Sequence, residues 1–156
     1  MYEKALAIQE DDYQLWSNLA SAYAQVPDKK GKSEPAYRRA IELAEKERLA
    51  NPNNGTLLIH LAECYASVAD TVRALDFAGQ ALALLSGDVQ VVARAGLIYE
   101  QVGKRDLAVE MIHRALTLGF PIAYLEAQPE LGDLLHDPRL TKDSVGRGNQ
   151  AESNVR

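Results

Sequence analysis

The sequence predicts an all-α fold built from consecutive pairs of antiparallel helices. Three observations carry this prediction. Apolar residues recur at spacings of three and four, which places them on one face of a helix. The pattern repeats along the chain at an interval of 34 residues. No segment alternates between apolar and polar residues for long enough to indicate a sheet.

The composition is that of one globular domain, because the 156 residues are 47% hydrophobic and 25% charged. The formal net charge is −5. We therefore expect no nucleic-acid partner, since there is no basic excess to attract phosphate. We expect no membrane partner, because no long apolar run occurs. A single cysteine and the absence of an export signal at the start make the cytoplasm the default expectation.

The first helix of each pair is predicted by a pattern of a large apolar residue, a second apolar residue, a small residue and a tyrosine. Their spacings are three, one and three residues, so the four side chains share one helical face. The pattern occurs three times, as Trp16, Leu19, Ala20 and Tyr23, as Leu58, Leu61, Ala62 and Tyr65, and as Val92, Ala95, Gly96 and Tyr99.

The second helix of each pair is predicted by an alanine followed by a large apolar residue. This pattern occurs at Tyr37, Ala40 and Ile41, at Ala78, Ala81 and Leu82, and at Ile112, Ala115 and Leu116. A further copy, with Tyr2, Ala5 and Leu6, precedes the first complete pair, so we expect the chain to open with half a repeat. Seven extra residues lie within Glu42–Ala50, and they lengthen one helix by about two turns while nearly keeping its phase.

Turn residues separate the predicted helices. Ser33 followed by Glu34 and Pro35 predicts an N-cap and the first turn of a helix. The run 51–55, with Pro52 and Gly55, ends that helix. Further breaks are predicted at 69–70, 86–88, 102–103 and 119–121, and the paired acids at 11–12 are expected to cap the following helix.

A 34-residue helix–turn–helix unit with these motifs resembles the tetratricopeptide repeat. The resemblance covers about residues 1–119 and implies an α-solenoid, a right-handed superhelix of antiparallel helix pairs with a C-terminal helical cap. We expect a repeat domain over 1–140, with a half repeat at 1–11, repeats at about 12–53, 54–87 and 88–120, and a cap at 121–140. Apolar residues between Ile122 and Leu135, including Tyr124, are expected to form the cap. The polar tail 141–156 is predicted to be disordered.

The lengthened second helix and the run from Gly119 to Leu140 resemble the tetratricopeptide arrays at the C-terminal end of large bacterial signalling proteins. In those proteins a Ser/Thr kinase, an adenylate cyclase or a transcriptional regulator domain lies upstream. The resemblance implies that this chain is the repeat arm of such a protein. It transfers no catalytic residue.

No constellation of residues predicts an enzyme, a cofactor or a metal site. A phosphate-binding loop and a Gly-x-Ser-x-Gly motif are both missing from the sequence. His60 and Cys64 lie four residues apart, but two ligands do not complete a metal site, and a buried cysteine beside a groove-facing histidine is the favoured interpretation. A local basic patch, formed by Lys29, Lys30 and Lys32 with Arg38 and Arg39, is interpreted as a solvated loop and helix face, with a contact for an acidic partner as the alternative.

The resemblance implies that the first helices line a concave groove, which would hold a peptide or a partner protein. A carboxylate clamp is not expected, because only Asn18 and Arg94 are suitable donors. Self-association through an uncapped N-terminal edge is the alternative function. The residues predicted to line the groove are Gln14, Ser17, Asn18, Ser21, Gln25, Thr56, Ile59, His60, Glu63, Ser67, Gln90, Ala93, Arg94, Leu97 and Gln101.

Overall fold

The computed structural model describes residues 2–128 and 131–140, and every regular element in those ranges is helical. The predicted all-α class is therefore what the described chain adopts. The helices are α1 (Tyr2–Leu6), α2 (Tyr13–Ala24), a 3₁₀ helix (Pro27–Lys32), α3 (Ser33–Ala50), α4 (Gly55–Ser67), α5 (Thr71–Leu84), α6 (Val89–Gln101), α7 (Arg105–Thr117), α8 (Ile122–Glu126) and α9 (Gly132–Leu135).

The helices pack in hairpins within two compact units. The first unit, residues 1–86, contains α1 to α5; α2 packs against α1 and α3, and α4 packs against α3 and α5. The second unit begins at Gly87; there α6 packs against α7, and α9 packs against α7 and α8. The pairs α2–α3, α4–α5 and α6–α7 are the predicted helix pairs.

Acidic and amide side chains cap the N-termini of four helices. Asp12 accepts hydrogen bonds from the backbone N–H groups at positions 14 and 15, at 2.8 and 3.1 Å, as the sequence predicts. Asn54, Asp70 and Asp88 cap α4, α5 and α6 in the same way. Each cap satisfies N–H groups that have no partner inside the helix, so the start of each helix is fixed locally.

The turn after each of two first helices, α4 and α6, is a Schellman motif. At the end of α4 the Asp70 N–H donates to the carbonyl of residue 65, and the Ala69 N–H donates to that of residue 66. The same two bonds recur at residues 99–104. The motif requires a left-handed residue, which is Gly103 (φ 76°) after α6 but Ala69 (φ 61°) after α4. Ala69 therefore carries backbone strain that glycine avoids.

Ser33 is not an N-cap, contrary to the sequence prediction. It is the first residue of α3, and its buried hydroxyl donates to the Ala20 carbonyl of α2 at 2.8 Å. The reason is the 3₁₀ helix, which the sequence did not predict and which runs directly into α3, so that the Ser33 N–H is already bound to the Lys30 carbonyl. The hydroxyl is thus available to join the two helices of the pair.

Small residues allow the two helices of a pair to approach closely. Ala20, Ala62 and Gly96 occupy equivalent positions in the first helices and are all buried. A Cβ atom placed on Gly96 would lie 2.8 Å from Cδ1 of Ile112 on α7. The preceding pair has alanine at both equivalent positions, Ala62 and Ala78, and both are fully buried. At this contact the α4–α5 pair therefore has two alanines, whereas the α6–α7 pair has a glycine opposite an isoleucine.

The cap is confirmed as helical, with a correction to its apolar residues. Leu125 and Leu134 are fully buried, and α9 packs against α7 and α8. Ile122 and Tyr124 were expected to help cover the last repeat. Both stay largely exposed, at 46% and 58%, because the short α8 buries only one side, although the Tyr124 ring meets that of Phe120 with centroids 5.6 Å apart. The predicted disordered tail, 141–156, lies outside the described residues.

Ala69→Gly should raise the free energy of unfolding by about 0.5–1 kcal/mol, because relief of the left-handed strain exceeds the added entropy of the unfolded chain. Gly103→Ala at the equivalent turn should have the opposite sign. Urea unfolding of both variants measures the effect. Destabilisation by Ala69→Gly would contradict the assignment of strain.

Candidate protein-interaction surfaces

The predicted groove residues of α2 form an exposed stripe with one exception. Gln14, Asn18, Ser21 and Gln25 are exposed, and their spacings of four, three and four place them along one side of the helix. Ser17 does not belong to this surface, because it is only 7% exposed and its hydroxyl donates to the carbonyl of residue 14. We call the four exposed residues the α2 stripe.

On α4 the predicted surface is narrower. Thr56 is exposed, and His60, Glu63 and Ser67 are half-buried. Ile59 was expected in the groove, but it is completely buried. The physical reason is that α4 packs against α3 and α5 and has buried residues around most of its circumference, which leaves little of the helix exposed.

A ring contact brings α2 and α4 together within the first unit. Tyr13, at the start of α2, meets the His60 ring edge-on with centroids 4.9 Å apart. Gln14 of the α2 stripe follows Tyr13 directly. The structure therefore brings the beginning of the α2 stripe close to the exposed part of α4, as expected for neighbouring first helices.

The second unit has its own surface on α6. Gln90 and Gln101, near its two ends, are exposed, and Arg94 and Leu97 are half-buried. Ala93 was also expected in the groove, but it is 1% exposed. It is equivalent to Ile59 and Ser17, so the same position is buried on all three first helices.

A tyrosine–glutamate hydrogen bond joins each of two first helices to the helix that precedes it. The Tyr23 hydroxyl donates to Glu3 of α1 at 2.6 Å, and the Tyr65 hydroxyl donates to Glu45 of α3 at 2.9 Å. In both cases the glutamate lies 20 residues before the tyrosine. We call each of these tyrosine–glutamate contacts a junction. Tyr99 has no equivalent glutamate, since position 79 is glycine.

From the sequence, these tyrosines are expected to pack between helices, with their hydroxyls at a wet edge or a backbone carbonyl. The two glutamates were not among the predicted partners. The 20-residue spacing could have revealed them, because it occurs at both junctions.

The Tyr65 junction is the more buried of the two. Tyr65 stacks on Phe77 with ring centroids 5.6 Å apart, and the Arg73 guanidinium lies 5.1 Å from its ring and donates to its hydroxyl. Burial raises the pKa of Tyr65, while the bond from Arg73 lowers it and the bond to Glu45 raises it. Lys29 lies 5.5 Å from the centroid of the Tyr23 ring, so both junctions combine a tyrosine, a glutamate and a cation.

A largely apolar cleft of about 670 Å³ lies where α1, α2, the 3₁₀ helix and α3 meet. We call it the N-terminal cleft. Three of its ten lining residues are charged, namely Glu3, Lys32 and Arg39. Its apolar lining consists of Leu6, Trp16, Leu19, Tyr23, Pro35 and Ala36, together with Gly31.

Neither a metal cluster nor a membrane span is found in the part of the chain that the structure describes. Its histidine, cysteine and acidic residues form no group of three that could hold a metal ion. Cys64 is buried, in agreement with the packing interpretation. No described helix is long and apolar enough to cross a bilayer.

Comparison with known proteins identifies the fold. No family model matches the chain. Two crystal structures of MamA, a helical-repeat protein of the tetratricopeptide type, superpose with TM-scores of 0.55 and 0.54 at 18% and 16% identity. They match 93% and 99% of this chain and 79% and 84% of theirs. The fold is that of a tetratricopeptide-type helical repeat.

One sequence relative has a related segment. Over 81 residues the chain is 32% identical to the cellulose synthase operon protein C of Pseudomonas fluorescens (strain SBW25). The match covers 52% of this chain but only 6% of that protein, so the chain spans a small part of its length. Neither protein named here is a kinase, a cyclase or a transcriptional regulator by its description, and the link to signalling proteins stays a prediction.

Tyr65→Phe should lower the free energy of unfolding by about 1 kcal/mol, because it leaves Glu45 and Arg73 without the hydroxyl while the stack on Phe77 remains. Tyr23→Phe is the matched control, and its loss should be smaller because that hydrogen bond is exposed. Urea unfolding of both variants compares them. Equal losses would contradict a special role for the buried junction.

Proposed function

We propose that the chain is a non-catalytic protein-interaction module that binds a peptide or a partner protein along the exposed faces of its first helices. One observation carries the proposal. No hydrogen bond within the described chain engages the side chains of Asn18, Ser21 and Gln25 on the α2 stripe. Amide and hydroxyl groups donate and accept, so they suit the backbone of an extended peptide.

The surface of α3 contrasts with the α2 stripe. Its charged residues pair with their own neighbours, as Arg38 does with Glu34 at 2.7 Å and Arg39 with Glu42 at 2.8 Å. A charged surface that is satisfied in this way offers less to a partner than unengaged amides. The likeness to helical-repeat structures supports the same assignment of the first helices as the binding face.

The expected ligand is held by amide hydrogen bonds rather than by a carboxylate clamp. The clamp needs several strong donors, and the predicted surface has only Asn18 and the half-buried Arg94. In this proposal the chain is the repeat arm of a larger signalling protein. The gene sequence upstream of Met1 tests that part directly, since a kinase, cyclase or regulator domain in the same reading frame is required.

Site-specific photo-crosslinking in cells tests the binding face and identifies the partner in the same experiment. A photoreactive amino acid at Asn18 or Ser21 should crosslink to a discrete polypeptide. The same amino acid at Gly79 or Gln80, which are exposed on the second helix α5, should not. Crosslinking that is equal at both pairs of positions, or absent at the first, would exclude the α2 stripe as the binding face.

The polypeptide identified in this way then permits a quantitative test. Asn18→Trp should weaken its binding by about tenfold, because the large ring blocks the stripe. The thermal midpoint should not change, since Asn18 is exposed and unengaged. Gln80→Trp on α5 is the matched control and should bind normally. Undiminished binding by Asn18→Trp would refute the assignment.

A second candidate function is self-association through the N-terminal edge. Ile8, which follows α1 closely and is 86% exposed, favours it. The sedimentation coefficient should then rise with protein concentration, and Ile8→Ser should suppress the rise. Leu49→Ser, at a residue 79% exposed on α3, is the control. A coefficient independent of concentration would eliminate this candidate.

A further inference from the structure

The N-terminal cleft lies on the opposite side of α2 from the α2 stripe. Trp16, Leu19 and Tyr23 face the cleft, whereas the stripe is centred about 160° away around the helix axis. The two surfaces therefore share a helix but no residue. A ligand of the cleft is independent of the function proposed for the stripe.

The floor of the cleft is apolar and buried, and the cleft itself is open to solvent. Leu6, Leu19 and Ala36 are 6%, 7% and 4% exposed, and the half-buried rings of Trp16 and Tyr23 form part of its lining. A volume of about 670 Å³ is within the range of pockets that bury a small ligand or a few side chains. Filling the cleft with apolar side chains would remove the exposed parts of these rings from water.

The 3₁₀ helix beside the cleft is basic, although the whole chain has a net charge of −5. This helix contains three lysines and one acid, Asp28, and of these Lys32 lines the cleft. Lys29 lies 3.9 Å from Glu3, whose carboxylate also accepts from Tyr23. Lys30 and Lys32 have no ion pair within the described residues.

Arg39, the other cation of the lining, is already paired with acidic residues. Arg39 pairs with Glu42 at 2.8 Å and lies 3.7 Å from Asp11. The unpaired positive charge is therefore that of Lys32, which lines the cleft, and of Lys30, which lies on the same 3₁₀ helix. A ligand that complements the cleft needs an apolar group for its floor and negative charge beside this helix.

We propose that the N-terminal cleft binds a short acidic segment of a partner protein, which inserts an apolar anchor residue and directs carboxylates towards Lys30 and Lys32. A second copy of the chain fits less well, because a stable protein interface uses about 20–30 residues on each side. The cleft is lined by ten residues, which corresponds to a short peptide.

The chain contains a reporter of this site. Trp16 is its one tryptophan and lies in the lining, so the intrinsic emission reports directly on whether the cleft is filled. The probes are three synthetic peptides of about three helical turns with identical leucine positions. Their remaining positions are glutamate in the first peptide, glutamine in the second and lysine in the third.

Titration of the full chain should shift the Trp16 emission with the glutamate peptide. The glutamine peptide should bind about tenfold more weakly, and the lysine peptide should not bind. Added salt should weaken the glutamate complex, because it screens the exposed charges. The double variant Lys30→Gln/Lys32→Gln should lose this preference, and the matched control Lys46→Gln/Lys104→Gln, at exposed lysines outside the cleft, should keep it.

Three results would overturn the proposal. The first is an unchanged Trp16 emission with the glutamate peptide, and the second is equal affinity for the glutamate and glutamine peptides. The third is an emission shift that depends on protein concentration alone, accompanied by a rising sedimentation coefficient, which would identify a second copy as the occupant. Asn18→Phe, which blocks the α2 stripe without adding a second tryptophan, should bind the peptide normally, so failure of this site and failure of the α2 stripe are separable.

Discussion

The close approach of the two helices in each pair determines most of the structure. Alanine or glycine at positions 20, 62 and 96 of the first helices, and alanine at 40, 81 and 115 of the second, are all buried. Helices this close bury their apolar faces in each other without large side chains between them. The residues that remain exposed are then set by helical geometry and by the further helices that pack around each pair, and they form the surfaces available to partners.

The seven-residue insertion in α3 shows how this constraint permits variation. The tyrosines of the first two pairs lie 42 residues apart, and so do the glutamates that accept their hydroxyl bonds, Glu3 and Glu45. Each glutamate therefore stays 20 residues before its tyrosine, although α3 is longer than the other second helices. Because seven residues make nearly two turns, the longer α3 returns its buried face to the same side.

The periodicity of the sequence was sufficient to predict the helix pairs and the Asp12 cap, but it could not predict how wide the buried face of each helix is. Ser17, Ile59 and Ala93 are equivalent, and all three are buried, although periodicity places them between the core and the surface. Their burial depends on the packing of further helices around each first helix, as the ring contact between α2 and α4 illustrates. Such contacts between distant segments leave no pattern within one helix.

Both proposed surfaces lie on α2, on opposite sides of the helix, so a single partner could bind to both. The α2 stripe and the N-terminal cleft are separated by the width of a helix, about 10 Å, so two segments bound there would not collide. Two weak sites on one rigid helix bind a partner that carries both segments far more strongly than either alone, because the second contact forms within the complex. The uncharged stripe and the basic, apolar cleft also require different chemistry. A partner that satisfies both is therefore distinguished from one that satisfies a single surface, and the discrimination comes from one helix held between α1 and α3.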